Sequence, residues 1–179
     1  MKSIEKEYKE VITREKYDQL LELFEWDNEV QQVNYYYFDE KNLVVDKGIT
    51  VRVRQINDKL ILQIKTPVDV KGSLHIKKEF EKEINHLDKY ISGHGIAELS
   101  ALNIGKLECK GQLFTIRNIF AAGKTMICLD KNMYLGKVDY EVEVEYQDKI
   151  DDSIINTFKE IGVSFIKETQ GKNTRFHNE

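Results

Sequence analysis

Two carboxylates and an ammonium stand close together in Glu5-Lys6-Glu7-Tyr8-Lys9. The residue types alternate with period two, which is the spacing of a strand. Glu5, Glu7 and Lys9 share one face, and Ile4, Lys6 and Tyr8 share the other. Carboxylates at i and i+2 project side by side, about 7 Å apart along the chain. Against a dry core they would repel and lose their hydration. On an open edge they would simply be solvated. Lining a wet, enclosed cavity, they would make a site for a hard cation.

The same alternation returns along the chain. One face carries Glu5, Glu7 and Lys9, then Arg52 and Arg54, then Lys65, then Glu79 and Glu81, then Arg117, then Asp139, Glu141, Glu143 and Glu145. The opposite face carries Ile4 and Tyr8, Val51 and Val53, Leu60, Leu62 and Ile64, Ile76 and Phe80, Ile116, and Tyr140, Val142 and Val144. Amphipathic helices would pack on the apolar face. The pattern leaves two arrangements open. One is an open sheet with helices on one side and a solvated charged face. The other is a sheet of about eight strands curled into a barrel with a charged lumen.

The chemistry of a closed lumen follows from its residue types. Arginine and lysine rows match phosphate oxygens, arginine bidentately. Carboxylate rows hold Mg²⁺ or Mn²⁺, whose shells also accept water and phosphate oxygens. Together the rows describe a phosphoanhydride site. No GxxxxGK[ST] loop is present, which excludes a P-loop enzyme. No Cys–His or Ser–His–Asp arrangement can be read from the spacings, so a covalent intermediate is not expected. His75, His86, His94 and His177 lack the spacing of a zinc site.

The elements that must position these residues read as strands joined mostly by hairpins, with three helices. Strands are expected at 3–11, 30–40, 50–55, 60–66, 75–84, 111–120, 124–129 and 137–146. Thr13 would cap a helix over 14–25, with Tyr17, Leu20, Leu21 and Phe24 on one face. Residues 87–103 read as two helical pieces broken at Gly93 and Gly95. Asp151, Asp152 and Ser153 would cap a helix bearing Ile154, Ile155, Phe158 and Ile161, ended by Gly162. Turns are expected at 46–48, 57–58 and 130–132, and a loop around 69–72.

Composition bounds the rest. The chain has 179 residues, 41% hydrophobic and 32% charged, with a formal net charge of −4. It reads as one domain, 1–179. That balance gives little support to nucleic-acid binding through a basic surface. Cys109 and Cys128 make no disulfide framework and no CxxC motif. No apolar run marks a signal peptide or membrane span, so a cytoplasmic protein without membrane partners is expected.

In this order the residues resemble the CYTH superfamily, the triphosphate tunnel metalloenzymes, which include class IV adenylate cyclases, thiamine triphosphatases and inorganic triphosphatases. The resemblance rests on the ExExK of Glu5, Glu7 and Lys9, then Arg52-x-Arg54, Lys65, Arg117, Leu129-Asp130, Glu141-x-Glu143 and a C-terminal basic element. It covers residues 5 to about 176. It implies an α+β fold, a closed eight-stranded antiparallel β-barrel with a charged interior and helices packed outside. It implies Mg²⁺ or Mn²⁺ on Glu5, Glu7, Asp130, Glu141 and Glu143, and a triphosphate on Lys9, Arg52, Arg54, Lys65, Arg117, Lys172 and Arg175. Lys9, Glu5 and Glu7 would form the catalytic set. The departure is Gly171-Lys172-Asn173, where relatives often carry Ser-Lys-Tyr. The expected activity is metal-dependent hydrolysis of an inorganic, thiamine or nucleoside triphosphate. The alternatives are a class IV-type adenylate cyclase and a non-catalytic binder of polyphosphate or nucleotide. A pure anion binder gains nothing from carboxylate rows unless a cation bridges them.

Overall fold

The computed structural model describes residues 2–150 and 152–179, the side chain of Glu98 excepted. Asp151, read above as part of a helix cap, lies outside the described residues. In chain order the elements are β1 (Lys2–Ile12), α1 (Arg14–Leu23), β2 (Asn28–Asp39), α2 (Leu43–Asp46), β3 (Thr50–Ile56), β4 (Lys59–Lys71), β5 (Leu74–Ile84) and β6 (Tyr90–Ser92). A 3₁₀ turn at Gly93–Gly95 leads to α3 (Ala97–Ser100), β7 (Lys106–Ala122), β8 (Thr125–Tyr134), β9 (Lys137–Tyr146), α4 (Asp152–Glu160) and α5 (Lys172–His177).

The strands run β2-β3-β4-β5-β1-β9-β8-β7, and β7 pairs back onto β2. That last ladder is antiparallel and extends from Asn28 opposite Ile119 to Asp39 opposite Leu107. It closes an eight-stranded antiparallel barrel, so the charged face becomes a lumen and the ring has no free edge. β6 pairs only with the start of β7, outside the ring.

Apolar side chains cover the outside. Leu20 of α1 and Phe158 of α4 pack on Ile127, Leu129, Val142 and Val144. Thr13 caps α1 as expected, its hydroxyl accepting from the Lys16 N–H at 3.4 Å. A second core gathers Val44, Ile49, Val51, Val53, Leu62, Ile64, Leu99 and Leu107. Phe176 of α5 packs on Tyr36, Phe38 and Tyr134 and fills that end of the barrel with rings.

Several expected boundaries move. Residues 87–103 are not two helices. They form β6, the 3₁₀ turn and the single turn of α3. Gly93 lies so close to the Ile104 carbonyl that a side chain has no room, and this packing holds the segment in place. No turn forms at 130–132. β8 runs on to Tyr134 because Asp130 and Asn132 find lumen partners in Arg117 and Thr115. The chain reverses instead at Leu135 and Gly136, with φ of 46° and 77°, the left-handed pair of a tight hairpin. The loop around 69–72 is mostly strand. β4 continues through a bulge between Pro67 and Asp69, where proline is tolerated. β7 begins at Lys106 rather than Gly111, and the ladder shifts register beside Gly111.

Gly111 has φ +152°, and a Cβ there would lie 2.9 Å from the Phe176 ring. The buried ring cannot swing away cheaply. Gly111→Ala is therefore expected to cost about 1–3 kcal/mol of stability. Urea unfolding checks this, and an unchanged midpoint would show that α5 is not pinned here.

Candidate active site

The lumen holds a cavity of about 420 Å³. Its walls carry Glu5, Glu7, Lys9, Arg52, Arg54, Lys65, Arg117, Glu143 and Lys172 from the expected set. Residues from β1, β3, β4, β7 and β9 reach it because alternate side chains of a closed barrel point inward. Lys172 comes from α5. The segment leading to α5 is clasped to the barrel: Glu10 accepts from the Ser164 and Phe165 N–H groups at 3.2 and 2.8 Å, and the Ser73 hydroxyl donates to the Phe165 carbonyl. The Asn173 amide then donates to the Ile49 carbonyl at 3.2 Å.

Charge is distributed unevenly. Lys9 bridges Glu7 at 2.7 Å and Glu143 at 3.2 Å. Burial opposes the Lys9 charge, but Glu7 and Glu143 outweigh it and hold the ammonium well above its ordinary range. Lys65 reaches Glu5 at 2.7 Å and Glu79 at 3.3 Å, and Lys77 reaches Glu7 at 3.1 Å. Burial pushes the Glu7 carboxyl up, yet Lys9 and Lys77 pull it below the usual carboxylate range.

Arg52 and Arg54 differ. Arg52 Nε donates to Gln63 at 2.7 Å and Arg54 Nε to Asn34 at 3.1 Å. Among the described residues neither guanidinium has a carboxylate partner. Burial, with Arg52 and Arg117 adding to it, pushes Arg54 down to about 9. A guanidinium keeps its proton at neutral pH, so this depression marks an uncompensated cation.

The acidic residues form two groups of three, with ligand oxygens within 4.8 Å of one another: Glu5, Glu7 and Glu145, and Asp130, Glu141 and Glu143. The second group is already neutralised. Arg117 grips Asp130 with a two-pronged pair at 2.8 and 2.7 Å and also binds Glu143. Lys172 touches all three carboxylates. Asp130 and Glu141 are fully buried and do not line the cavity. In the first group, Glu145 faces the cavity and, among the described residues, has no hydrogen bond or ion pair. Burial pushes its carboxyl up to about 7, with Glu5 and Glu143 adding and Arg117 opposing.

The CYTH domain family model matches residues 3–171 of the chain. The chain belongs to the CYTH family. It is 30% identical to the Bacillus subtilis protein named "Putative triphosphatase YjbK", over 98% of this chain and 95% of that protein. Its fold is similar to that of a Bacillus halodurans protein described as a putative adenylate cyclase, with a TM-score of 0.76, 24% identity and 98% of each chain covered. It is also similar to that of Hippeastrum HpAC1, described as a putative adenylyl cyclase with a dominant triphosphatase activity. There the TM-score is 0.77 at 17% identity, over 97% of this chain and 95% of that one.

Within this CYTH barrel Arg175 is not on the cavity wall. Its guanidinium is taken up by Asp139 at 3.0 and 3.2 Å, Glu141 at 2.6 Å and the Gln170 carbonyl at 2.6 Å. Sequence reasoning placed Glu145 on the charged face beside Glu143 and left Lys77, His75 and Gln63 without roles, although all four line the cavity. Their inward parity was visible in the alternation of β5, β4 and β9. What was missing was their pairing. His75 is pushed down to about 4 by burial, with Lys9 and Lys77 adding, so a neutral imidazole stands among the lysines.

The raised Glu145 carboxyl has a consequence for stability. A group whose folded value lies above its unfolded value contributes stability below the ordinary carboxylate range and loses it as pH rises through the folded value. Ionising Glu145 between pH 4.5 and 7 should therefore destabilise the free protein by roughly 3 kcal/mol. Glu145→Gln should remove this slope and melt higher than the parent at pH 8. Thermal unfolding across pH 5–8 checks it, and parallel curves would show that Glu145 is solvated.

Proposed function

We propose that this protein hydrolyses a small triphosphate with the help of a divalent cation. The single observation that carries this reading is the Arg52–Arg54 pair, without a carboxylate partner among the described residues, sharing one cavity with the group Glu5, Glu7 and Glu145, of which Glu5 and Glu7 are held by lysines and Glu145 is not. Guanidinium groups that have no carboxylate partner among the described residues suit an anion, and the Glu145 carboxylate, likewise without an ion pair there, suits a metal. The oxygen-only donors fit Mg²⁺ or Mn²⁺. Such an ion would neutralise phosphate oxygens and acidify a water when bound.

The chain's own residues then take distinct roles. Glu5, Glu7 and Glu145 hold the cation. Arg52 and Arg54 grip phosphate oxygens in the fork geometry that guanidinium provides. Lys65, Lys77 and Arg117 add positive field along the walls. Lys9 keeps its proton because Glu7 and Glu143 hold it. It therefore works as a fixed charge beside the reacting phosphate and not as a proton acceptor. The similarity to the protein named "Putative triphosphatase YjbK" supports hydrolysis. Among the described cavity residues the aromatic groups are Tyr36 and His75, both buried, so recognition centres on the phosphate chain.

The test is phosphate release from tripolyphosphate, thiamine triphosphate and ATP with Mg²⁺ or Mn²⁺, with cyclic AMP followed in parallel. Release that stops in EDTA is the expected result. Cyclic AMP as the main product, or full turnover in EDTA, would overturn the reading.

A further inference from the structure

Helices do not cover the whole outside of the barrel. α1 and α4 lie over β8 and β9, and Val44 of α2 and Leu99 of α3 join the core beside β3 and β7. Over β1 and β5 an apolar surface reaches solvent: Ile4 is 63% exposed and Phe80 is half-buried. Both line an open groove of about 580 Å³. Lysines surround it. The alternation of β5 sends Glu79 and Glu81 to the lumen and Lys78 and Lys82 outward, and Lys6 follows Ile4 on the outer face of β1. Lys78 and Lys82 are exposed and have no ion pair among the described residues. The exposed side of α1 is their counterpart. Asp18 and Glu22 stand one turn apart, Glu25 follows just past the helix end, and Leu21 beside them is 40% exposed. Among the described residues Glu22 and Glu25 have no ion pair, and Asp18 meets Arg14 at 3.6 Å between two exposed side chains. The Trp26 indole N–H donates to the Leu21 carbonyl at 3.1 Å and fixes this end of the helix.

We propose that the outer face of β1 and β5 docks a second copy of this chain, with Leu21 of α1 seated between Ile4 and Phe80 and the carboxylates beside it against Lys6, Lys78 and Lys82. An exposed apolar patch inside a charged rim is the anatomy of a protein interface. The charges choose the occupant. Two basic faces repel, and so do two acidic helices, whereas helix on sheet pairs opposite signs and fixes the register. The positions of the two surfaces then set the assembly. β1 is the ring neighbour of β9, the strand that α1 partly covers, so the basic face and the acidic helix lie side by side on one flank of the barrel. A single twofold axis through that flank lets each α1 reach the other chain's groove. Both contacts form at once, and the product is a symmetric dimer. None of the residues in the contact lines the phosphate cavity, so each barrel keeps its own site.

The experiment is sedimentation equilibrium of the full chain and of two charge reversals. The parent should sediment at twice the chain mass. Its dissociation constant should rise about tenfold or more between roughly 0.05 M and 0.5 M NaCl, because salt screens exposed charges. Lys78→Glu with Lys82→Glu should be a monomer, since both of its surfaces are then acidic. Asp18→Lys with Glu22→Lys should be a monomer for the opposite reason. An equimolar mixture of the two should regain the dimer, because the acidic helix of the first meets the basic sheet of the second and the reversed pair meets in turn. A monomeric parent, variants that dimerise as the parent does, or a mixture that stays monomeric would each overturn the proposal. A monomeric parent that instead sediments with phosphatidylglycerol vesicles would give the face to an anionic lipid surface and overturn it as well. If either reversal does not fold, Lys78→Gln with Lys82→Gln takes its place. That variant should weaken the dimer about tenfold, and an unchanged dissociation constant would overturn the proposal.

Discussion

Arg54→Met should make the protein more stable and a poorer binder of tripolyphosphate. Both effects come from one fact: Arg54 is half-buried, has no carboxylate partner among the described residues, and is pushed down to about 9 by loss of hydration together with Arg52 and Arg117. An unpaired buried charge opposes folding. Methionine fills much of the same space without the charge. Stability should rise by about 1–2 kcal/mol, within the range common for a stabilising change at a functional site. The lost charge-assisted hydrogen bonds to phosphate are worth roughly 1.5–3 kcal/mol, or about one to two powers of ten in affinity. Thermal unfolding and metal-free calorimetry measure the two effects separately. A variant that melts lower and binds tripolyphosphate as tightly as the parent would remove Arg54 from the site.

Glu143→Gln should act in the opposite direction on stability. Glu143 receives Lys9 at 3.2 Å, Lys172 at 2.9 Å and Arg117 as well. Burial pushes its carboxyl up, but Lys172, Lys9 and Arg117 outweigh that and hold it well below the ordinary range. A carboxylate so depressed contributes stability above its unfolded value and loses it as pH falls through the folded one. Glutamine leaves three buried cations short of one anion. The loss should be about 3–5 kcal/mol, as for breaking a buried ion pair. Urea unfolding at pH 7 measures it, and phosphate release should collapse alongside. The contrast with Glu145→Gln is the useful one. Two glutamates that share a face of β9 should move stability in opposite directions, because one is neutralised and the other is not. Equal shifts would mean that the lumen is wet enough to screen both.

The opening ExExK, the Arg52-x-Arg54 pair and the glutamates of β9 were legible because a strand has period two. Which side chains share a face is settled by residues one or two positions apart. The local turn signal at 130–132 misled for the complementary reason. Asp130 and Asn132 favour turns in isolation, yet here they are held in β8 by Arg117 and Thr115, residues 13 and 17 positions away. Residues 87–103 misled likewise, since their apolar spacing suits a helix but their packing against β7 does not.

The sequence by itself determined which residues share the charged face, the kind of chemistry those residue types suit and where most of the main strands lie along the chain. Tertiary structure alone decided three things. Pairing of Asn28 with Ile119, 91 positions apart, turned a sheet into a closed tunnel. The clasp on residues 164–165 and the following α5 carried Lys172 into the lumen and left Arg175 outside the cavity wall. The neutralisation pattern left Arg54 and Glu145 without an ion pair among the described residues while Asp130, Glu141 and Glu143 were enclosed by cations. The physical reason is the range of each effect. Facing is set by local backbone geometry, whereas the charge state of a buried group depends on which distant side chains the closed fold brings within a few ångströms.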